Sequence, residues 1–129
     1  MTLVDTSVWI DVMRGSQTPQ THKLSALTAQ GEVICTCGPV VAEILQGIKT
    51  EKSYQQTKAD LDALLWVDLD RSSFHLCATI YRELRRQGET IRGTIDCLIA
   101  ALVVQNQLRL LANDRDYVKI DRHYPLNLV

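Results

Sequence analysis

The stretch Thr2-Leu3-Val4-Asp5-Thr6-Ser7-Val8-Trp9-Ile10 decides the fold. Thr2-Leu3-Val4 is a short apolar run that reads as a buried strand, and it stops at the polar triplet Asp5-Thr6-Ser7. Thr6 or Ser7 then N-caps a helix through Val8-Trp9-Ile10 to about Arg14, closed by Gly15. A polar triplet between strand and helix stands at the carboxyl end of the strand. In open parallel sheets, ligands bind at that end.

The same grammar recurs along the chain. After the loop Gln17-Thr18-Pro19, Leu24 and Leu27 mark one face of a helix running to Gly31. Glu32-Val33-Ile34-Cys35 is a second strand. Pro39 opens a helix at the position where its missing N–H costs least, with Val40, Val41, Ile44, Leu45 and Ile48 as its apolar stripe. Thr50 to Leu65 is amphipathic, and Trp66-Val67-Asp68-Leu69 is a third strand. Ser72 or Ser73 caps a long helix carrying Leu76, Ile80 and Leu84 and ending near Gly88. Thr94 begins the most apolar helix, with Ile95, Leu98, Ile99, Leu102 and Val103. Arg109-Leu110-Leu111-Ala112 is a fourth strand ending at Asn113-Asp114. A short helix follows through Tyr117 to Ile120, and Leu126-Asn127-Leu128-Val129 reads as a last edge strand.

Strands alternating with helices predict an α/β fold: a mostly parallel sheet of four to five strands, covered on both faces in three α/β/α layers. No repeat or linker interrupts the pattern, so residues 1–129 read as one domain. A composition of 46% hydrophobic and 22% charged residues excludes a disordered or low-complexity chain. The net charge is −1, so polyanion binding through a global basic field is excluded. The charge is uneven, with nine Lys/Arg against six Asp/Glu in residues 71–129 and five against nine in residues 1–70.

The first residues show no secretory signal pattern. The longest apolar run, Cys97 to Val104, is far short of a bilayer span. Cys35, Cys37, Cys77 and Cys97 match neither a redox pair nor a zinc site, although Cys35 and Cys37 point the same way on a strand; they read as small buried hydrophobes in a reducing compartment. The expected location is therefore cytoplasmic, with no membrane contact.

Four acidic residues fall where the predicted topology converges. Asp5 and Asp114 stand at the ends of strands one and four, Glu43 about one turn into the helix after strand two, and Asp96 in the first turn of the apolar helix. Each has an ordinary reading alone: Asp5 as a cap, Asp114 as a turn residue, Glu43 as a solvated side chain, Asp96 as a complement to the helix dipole. Together they describe one acidic pocket. Asp96 is the most telling, because its helix is apolar nearly all round and an unpaired buried carboxylate costs several kcal/mol. Crowded carboxylates repel and take up protons unless a cation intervenes. Mg²⁺ or Mn²⁺ suits an all-oxygen site and keeps several waters. Such an ion polarises a phosphoryl oxygen and acidifies a bound water, which is the chemistry of phosphodiester hydrolysis. His22, His75 and His123 are scattered, and no phosphate loop, GxGxxG or GxSxG segment is present.

Four segments carry a family resemblance. Val4-Asp5-Thr6-Ser7-Val8-Trp9-Ile10 resembles the opening of the PIN domain, especially in VapC-type toxins. Val41-Ala42-Glu43-Ile44-Leu45-Gln46-Gly47, Thr94-Ile95-Asp96-Cys97-Leu98-Ile99-Ala100-Ala101 and Leu111-Ala112-Asn113-Asp114-Arg115-Asp116-Tyr117 are similar to the family's second, third and fourth acidic segments, in order, over essentially the whole chain. The resemblance implies a metal-dependent endoribonuclease whose toxicity a cognate VapB-type antitoxin neutralises, and a homodimer. It implies Asp5 and Asp96 as principal metal ligands, and Glu43 and Asp114 completing the acidic pocket directly or through water. Thr6 or Ser7 and Asn113 would supply supporting hydrogen bonds. The fourth segment offers both Asp114 and Asp116; Asp114 lies nearer the strand end.

Arg82, Arg85 and Arg86 share one helix face, and Arg92 lies close to Asp96. They read either as a basic rim for RNA phosphates or as a solvated surface. Trp9 is a core or interface residue before it is a stacking platform. Two other functions fit the pattern less well. An aspartyl-phosphate enzyme with Asp5 as nucleophile wants a second Asp where Ser7 stands. A catalytically inactive RNA- or protein-binding module would use the same fold without the chemistry.

Overall fold

The computed structural model describes residues 1–129. Four parallel strands lie in the order β3-β2-β1-β4: β1 (Thr2–Val4), β2 (Ile34–Thr36), β3 (Leu65–Trp66) and β4 (Arg109–Leu111). Seven helices connect them: α1 (Thr6–Met13), α2 (Pro19–Ala29), α3 (Gly38–Gln46), α4 (Glu51–Asp62), α5 (Arg71–Arg86), α6 (Thr94–Gln105) and α7 (Arg115–Asp121).

The register sorts side chains to two faces. Leu3 pairs with Cys35 and Leu110, and all three join the larger core with residues of α3, α5 and α6. Val4 pairs with Leu111, and both join Val8, Leu24 and Leu27 of α1 and α2. Alternation along each strand thus builds the expected three layers. Cys97 to Val103 of α6 are all buried, as an all-round apolar helix requires. Truncating fully buried Leu102 to Ala should cost about 2–5 kcal/mol. All four cysteines are buried and free.

Several local expectations shift. The first cap is Asp5, whose side chain accepts the Ser7 N–H, rather than Thr6 or Ser7. Asp70, not Ser72 or Ser73, caps α5, and Ser73 completes its capping box. The second strand starts at Ile34 because Glu32 turns instead to the first residues of β1, accepting from the Thr2 hydroxyl at 2.7 Å and pairing with the terminal amine at 2.9 Å. The helix expected to reach Leu65 stops at Asp62, and the third strand is Leu65–Trp66 rather than Trp66–Leu69. There the Trp66 indole N–H donates to the Leu61 carbonyl at 3.0 Å, closing the helix end and fixing the edge strand against it. Leu126–Val129 contributes a single parallel bridge, Leu110 to Leu128, because Asn127 at φ 50° breaks the extended run. Gly15, at φ 70°, ends α1 in a conformation other side chains resist.

Candidate active site

β1 delivers Asp5 to the carboxyl edge of the sheet, where its N–H donates to the Leu111 carbonyl of β4 at 2.9 Å. That bond brings the ends of β1 and its neighbour β4, and the residues that follow them, together. Asp5 is only 5% exposed, and both of its oxygens are occupied. Oδ2 accepts from the Ser7 N–H at 3.1 Å and the Ser7 hydroxyl at 2.6 Å. Oδ1 accepts from the Tyr117 hydroxyl at 2.9 Å. The Asn113 N–H, just beyond β4, donates to the Ser7 Oγ at 3.0 Å and so orients it.

Asp96 enters from the first turn of α6, half-buried, with its Oδ1 at 3.3 Å from the same Tyr117 hydroxyl. Asp5 and Asp96 therefore share one phenol. Burial pushes the Asp96 carboxyl up to about 7, the charges of Asp114, Asp5 and Asp116 push the same way, and the Tyr117 hydrogen bond only partly opposes them. Burial likewise holds the Tyr117 phenol well above its ordinary range, with the Asp5 and Asp96 charges adding to it.

Asp114 and Asp116 complete the cluster from the start of α7. Asp114 caps that helix, its Oδ1 accepting the Asp116 N–H at 2.9 Å. Asp116, the alternative fourth acid, is 3% exposed. Burial would raise its carboxyl, but the Arg92 N–H, Lys119 and the Arg92 charge outweigh that and hold it below the usual range. Arg92 lies 3.3 Å from Asp114 and 3.5 Å from Asp116, and Lys119 lies 3.4 Å from Asp116. One oxygen each of Asp96, Asp114 and Asp116 fall within 4.8 Å of one another. Glu43, on α3, accepts from the Thr6 hydroxyl at 2.8 Å, which ties it to the residue following Asp5.

This donor set fits a hard divalent cation. It is all oxygen, with no imidazole or thiolate among the three grouped ligands. Its negative charges also repel: after burial, the charges of Asp114, Asp5 and Asp116 are what raise the Asp96 carboxyl to about 7.

A match to the PIN domain covers residues 2–123. The chain belongs to the PIN domain family. Within it, the chain is of VapC type: it is 32% identical over 124 residues to ribonuclease VapC11 of Mycobacterium tuberculosis, a match covering 95% of this chain and 92% of that one. A VapC ribonuclease of Mycobacterium bovis matches equally. Among solved structures, VapBC2 of Rickettsia felis bound to a DNA fragment from its promoter superposes with a TM-score of 0.77 at 21% identity, over 99% of this chain and 96% of that one.

In this PIN domain Asp5 and Asp96 meet at the Tyr117 hydroxyl, Asp114 and Asp116 group with Asp96, Ser7 holds Asp5, and Thr6 holds Glu43. Asn113 reaches the group through its backbone, while its side chain donates instead to Asp11 at 3.0 Å. Arg92 stands at the site, held in ion pairs with two of its acids. Arg82, Arg85 and Arg86 are exposed on α5, with Arg86 3.6 Å from Glu83. Trp9 packs against both cores. Sequence pattern alone did not single out Tyr117 and Lys119. The signal for Tyr117 was available: a tyrosine on the buried side of a helix needs a partner for its hydroxyl, and two of the candidate acids stand one and three residues before it.

Proposed function

We propose that residues 1–129 form a single PIN domain that is the toxin of a type II toxin–antitoxin pair, and a Mg²⁺- or Mn²⁺-dependent endoribonuclease. The observation that carries this reading is the meeting of Asp5 and Asp96 on one buried hydroxyl, with Asp114 and Asp116 beside them and no cation paired to Asp5 or Asp96. The relatives at 32% identity, which are named ribonucleases, support it.

Asp5, Asp96 and Asp114 would hold the ion, with Glu43 completing the set directly or through water. A bound ion supplies Lewis-acid polarisation of the phosphoryl oxygen and a more acidic water. The chain's own groups do the rest. Ser7, itself oriented by the Asn113 N–H, fixes the Asp5 carboxylate. Thr6 holds Glu43 beside it. Asp96 would hold the ion in its carboxylate form. Asp116 anchors the Arg92 and Lys119 side of the cluster. Arg92, between α5 and α6, together with Arg82, Arg85 and Arg86 of α5, is the proposed contact to RNA phosphates. The same reading gives the protein a VapB-type antitoxin as partner, a homodimeric state and a cytoplasmic location. No helix is long and apolar enough to cross a membrane.

The test is RNA cleavage by the purified chain with Mg²⁺ or Mn²⁺. Asp5→Asn should reduce it at least about a hundredfold, since losing a ligand costs more than losing the groups behind it, with the melting temperature retained. Undiminished cleavage by that variant would overturn the reading. The Arg92 and Lys119 ion pairs favour one second reading, an inactive RNA- or protein-binding module whose acids are already partly neutralised. Calorimetric titration separates the two: this second reading requires no Mn²⁺ binding up to millimolar concentration.

A further inference from the structure

The Tyr117 phenol is the only hydrogen-bonding group that touches both Asp5 and Asp96. The two acids are not equally held. Asp5 is fixed at both oxygens by Ser7 and Tyr117. Asp96 has no other side-chain hydrogen-bond partner and no ion pair. A phenol has one proton to donate and two carboxylates facing it. The shorter contact, 2.9 Å, goes to Asp5 and the longer, 3.3 Å, to Asp96. The ring itself is 1% exposed, packed in the main core, so the oxygen cannot wander. It links three elements that arrive from distant parts of the chain: the end of β1, the start of α6 and the body of α7.

We infer that Tyr117 is a positioning residue: its hydroxyl sets the separation of the Asp5 and Asp96 carboxylates and aims Asp96 into the cluster, so that the pair presents a preformed site to a divalent cation. Without that oxygen, Asp96 loses its one protein partner. It then turns away from Asp5 to relieve the repulsion, and part of the cation's binding energy goes into bringing it back. Groups that orient ligands in this way typically contribute about 10–100-fold in metal affinity. The inference rests on the metal-dependent reading above.

Tyr117→Phe tests it, because the ring stays and only the oxygen goes. Calorimetric titration of the full chain with Mn²⁺ at pH 8 should show affinity about tenfold weaker than wild type. Cleavage should show kcat falling with KM for RNA unchanged, and the metal-free melting temperature should stay near wild type. Mn²⁺ affinity equal to or tighter than wild type would overturn the inference. If the wild-type chain itself binds no Mn²⁺ up to millimolar, the metal-dependent reading fails instead. Proton NMR on the unmodified chain keeps the test open if the variant does not fold. A slowly exchanging Tyr117 hydroxyl proton should appear downfield and shift as Mg²⁺ is titrated in; a resonance that Mg²⁺ leaves in place also overturns it.

Discussion

Asp5 and Asp96 meet on a hydroxyl, whereas Asp114 and Asp116 meet on an arginine. The two pairs lie in one cluster, yet the groups around them differ in kind. The first pair receives neutral donors, Tyr117 and Ser7. The second receives the Arg92 guanidinium and, at Asp116, the Lys119 amine. The outcomes diverge accordingly: Asp96 is pushed up to about 7, mainly by burial, while Asp116, though less exposed, is held below the usual range. A neutral hydrogen bond contributes about 0.5–1.5 kcal/mol, too little to settle two like charges removed from water. Burial raises both carboxyls; at Asp116 the Arg92 N–H, the Lys119 amine and the two cationic charges outweigh it, whereas at Asp96 the acidic neighbours add to it and only the Tyr117 hydroxyl opposes it. The first pair is the part of the cluster whose negative charge the protein leaves unbalanced.

Removing one acid of the unbalanced pair should change the protein most. Asp96→Asn should reduce RNA cleavage at least about a hundredfold and yet raise the metal-free melting temperature at pH 8. The pH dependence has the same origin. The Asp96 carboxyl rises from an ordinary 3.8 to about 7 in the fold. Between those values the folded chain holds a proton that the unfolded chain has lost, so stability falls as pH rises from about 4 to about 7 and levels off above. Asp116, held low, acts in the opposite direction and only as pH falls below about 4, so the two windows do not overlap. Metal-free melting curves from pH 4.5 to 8 should show the decline, and saturating Mn²⁺ should reverse it most at the alkaline end. A melting temperature that is flat across that range, and unchanged in Asp96→Asn, would mean that the first pair is not under strain.

The second pair offers a smaller effect of opposite sign. Arg92→Met removes the shared cation while keeping an apolar stem. Asp114 and Asp116 then resemble the first pair, and Mn²⁺ affinity should rise by about two- to fivefold, the range of an exposed ion pair. If cleavage falls while Mn²⁺ affinity stays at wild type, Arg92 serves the RNA phosphate rather than the acids. Measuring both on the same preparation separates the two roles.

Much of this was legible in the chain. Thr2–Val4, the stripe of α3 and the all-round apolar α6 carry their own periodicity, so the parallel sheet and its layers follow from local pattern. The approach of Asp5 and Asp114 follows from the rule that strand ends share an edge, and Asp96 stands out as a carboxylate in the first turn of an otherwise apolar helix. What was not legible depends on contacts between distant residues or on single backbone angles. The helix end at Asp62 is set by the Trp66 indole, and the fraying of Leu126–Val129 by one left-handed Asn127. Arg92 reads as a free cation until its two acids are placed against it. Tyr117 reads as core filling, since periodicity registers its ring and is blind to its oxygen.

The remaining basic residues give the mildest test. Arg82, Arg85 and Arg86 are exposed on α5, and only Arg86 has an acidic partner within reach, Glu83. Unlike Arg92, Arg82 and Arg85 are not held by the cluster and are free to meet a phosphate. If they do, replacing both with Gln should weaken RNA binding to a catalytically dead Asp5→Asn background and flatten its salt dependence. The slope of log K against log salt should fall by about 0.7 for each single-strand phosphate no longer neutralised. Affinity for Mn²⁺ should not move, because neither side chain pairs with an acid of the site. A salt slope identical to that of the Asp5→Asn parent would leave α5 as a solvated face, and would make Arg92 the one basic residue of the proposed rim whose position ties it to the chemistry.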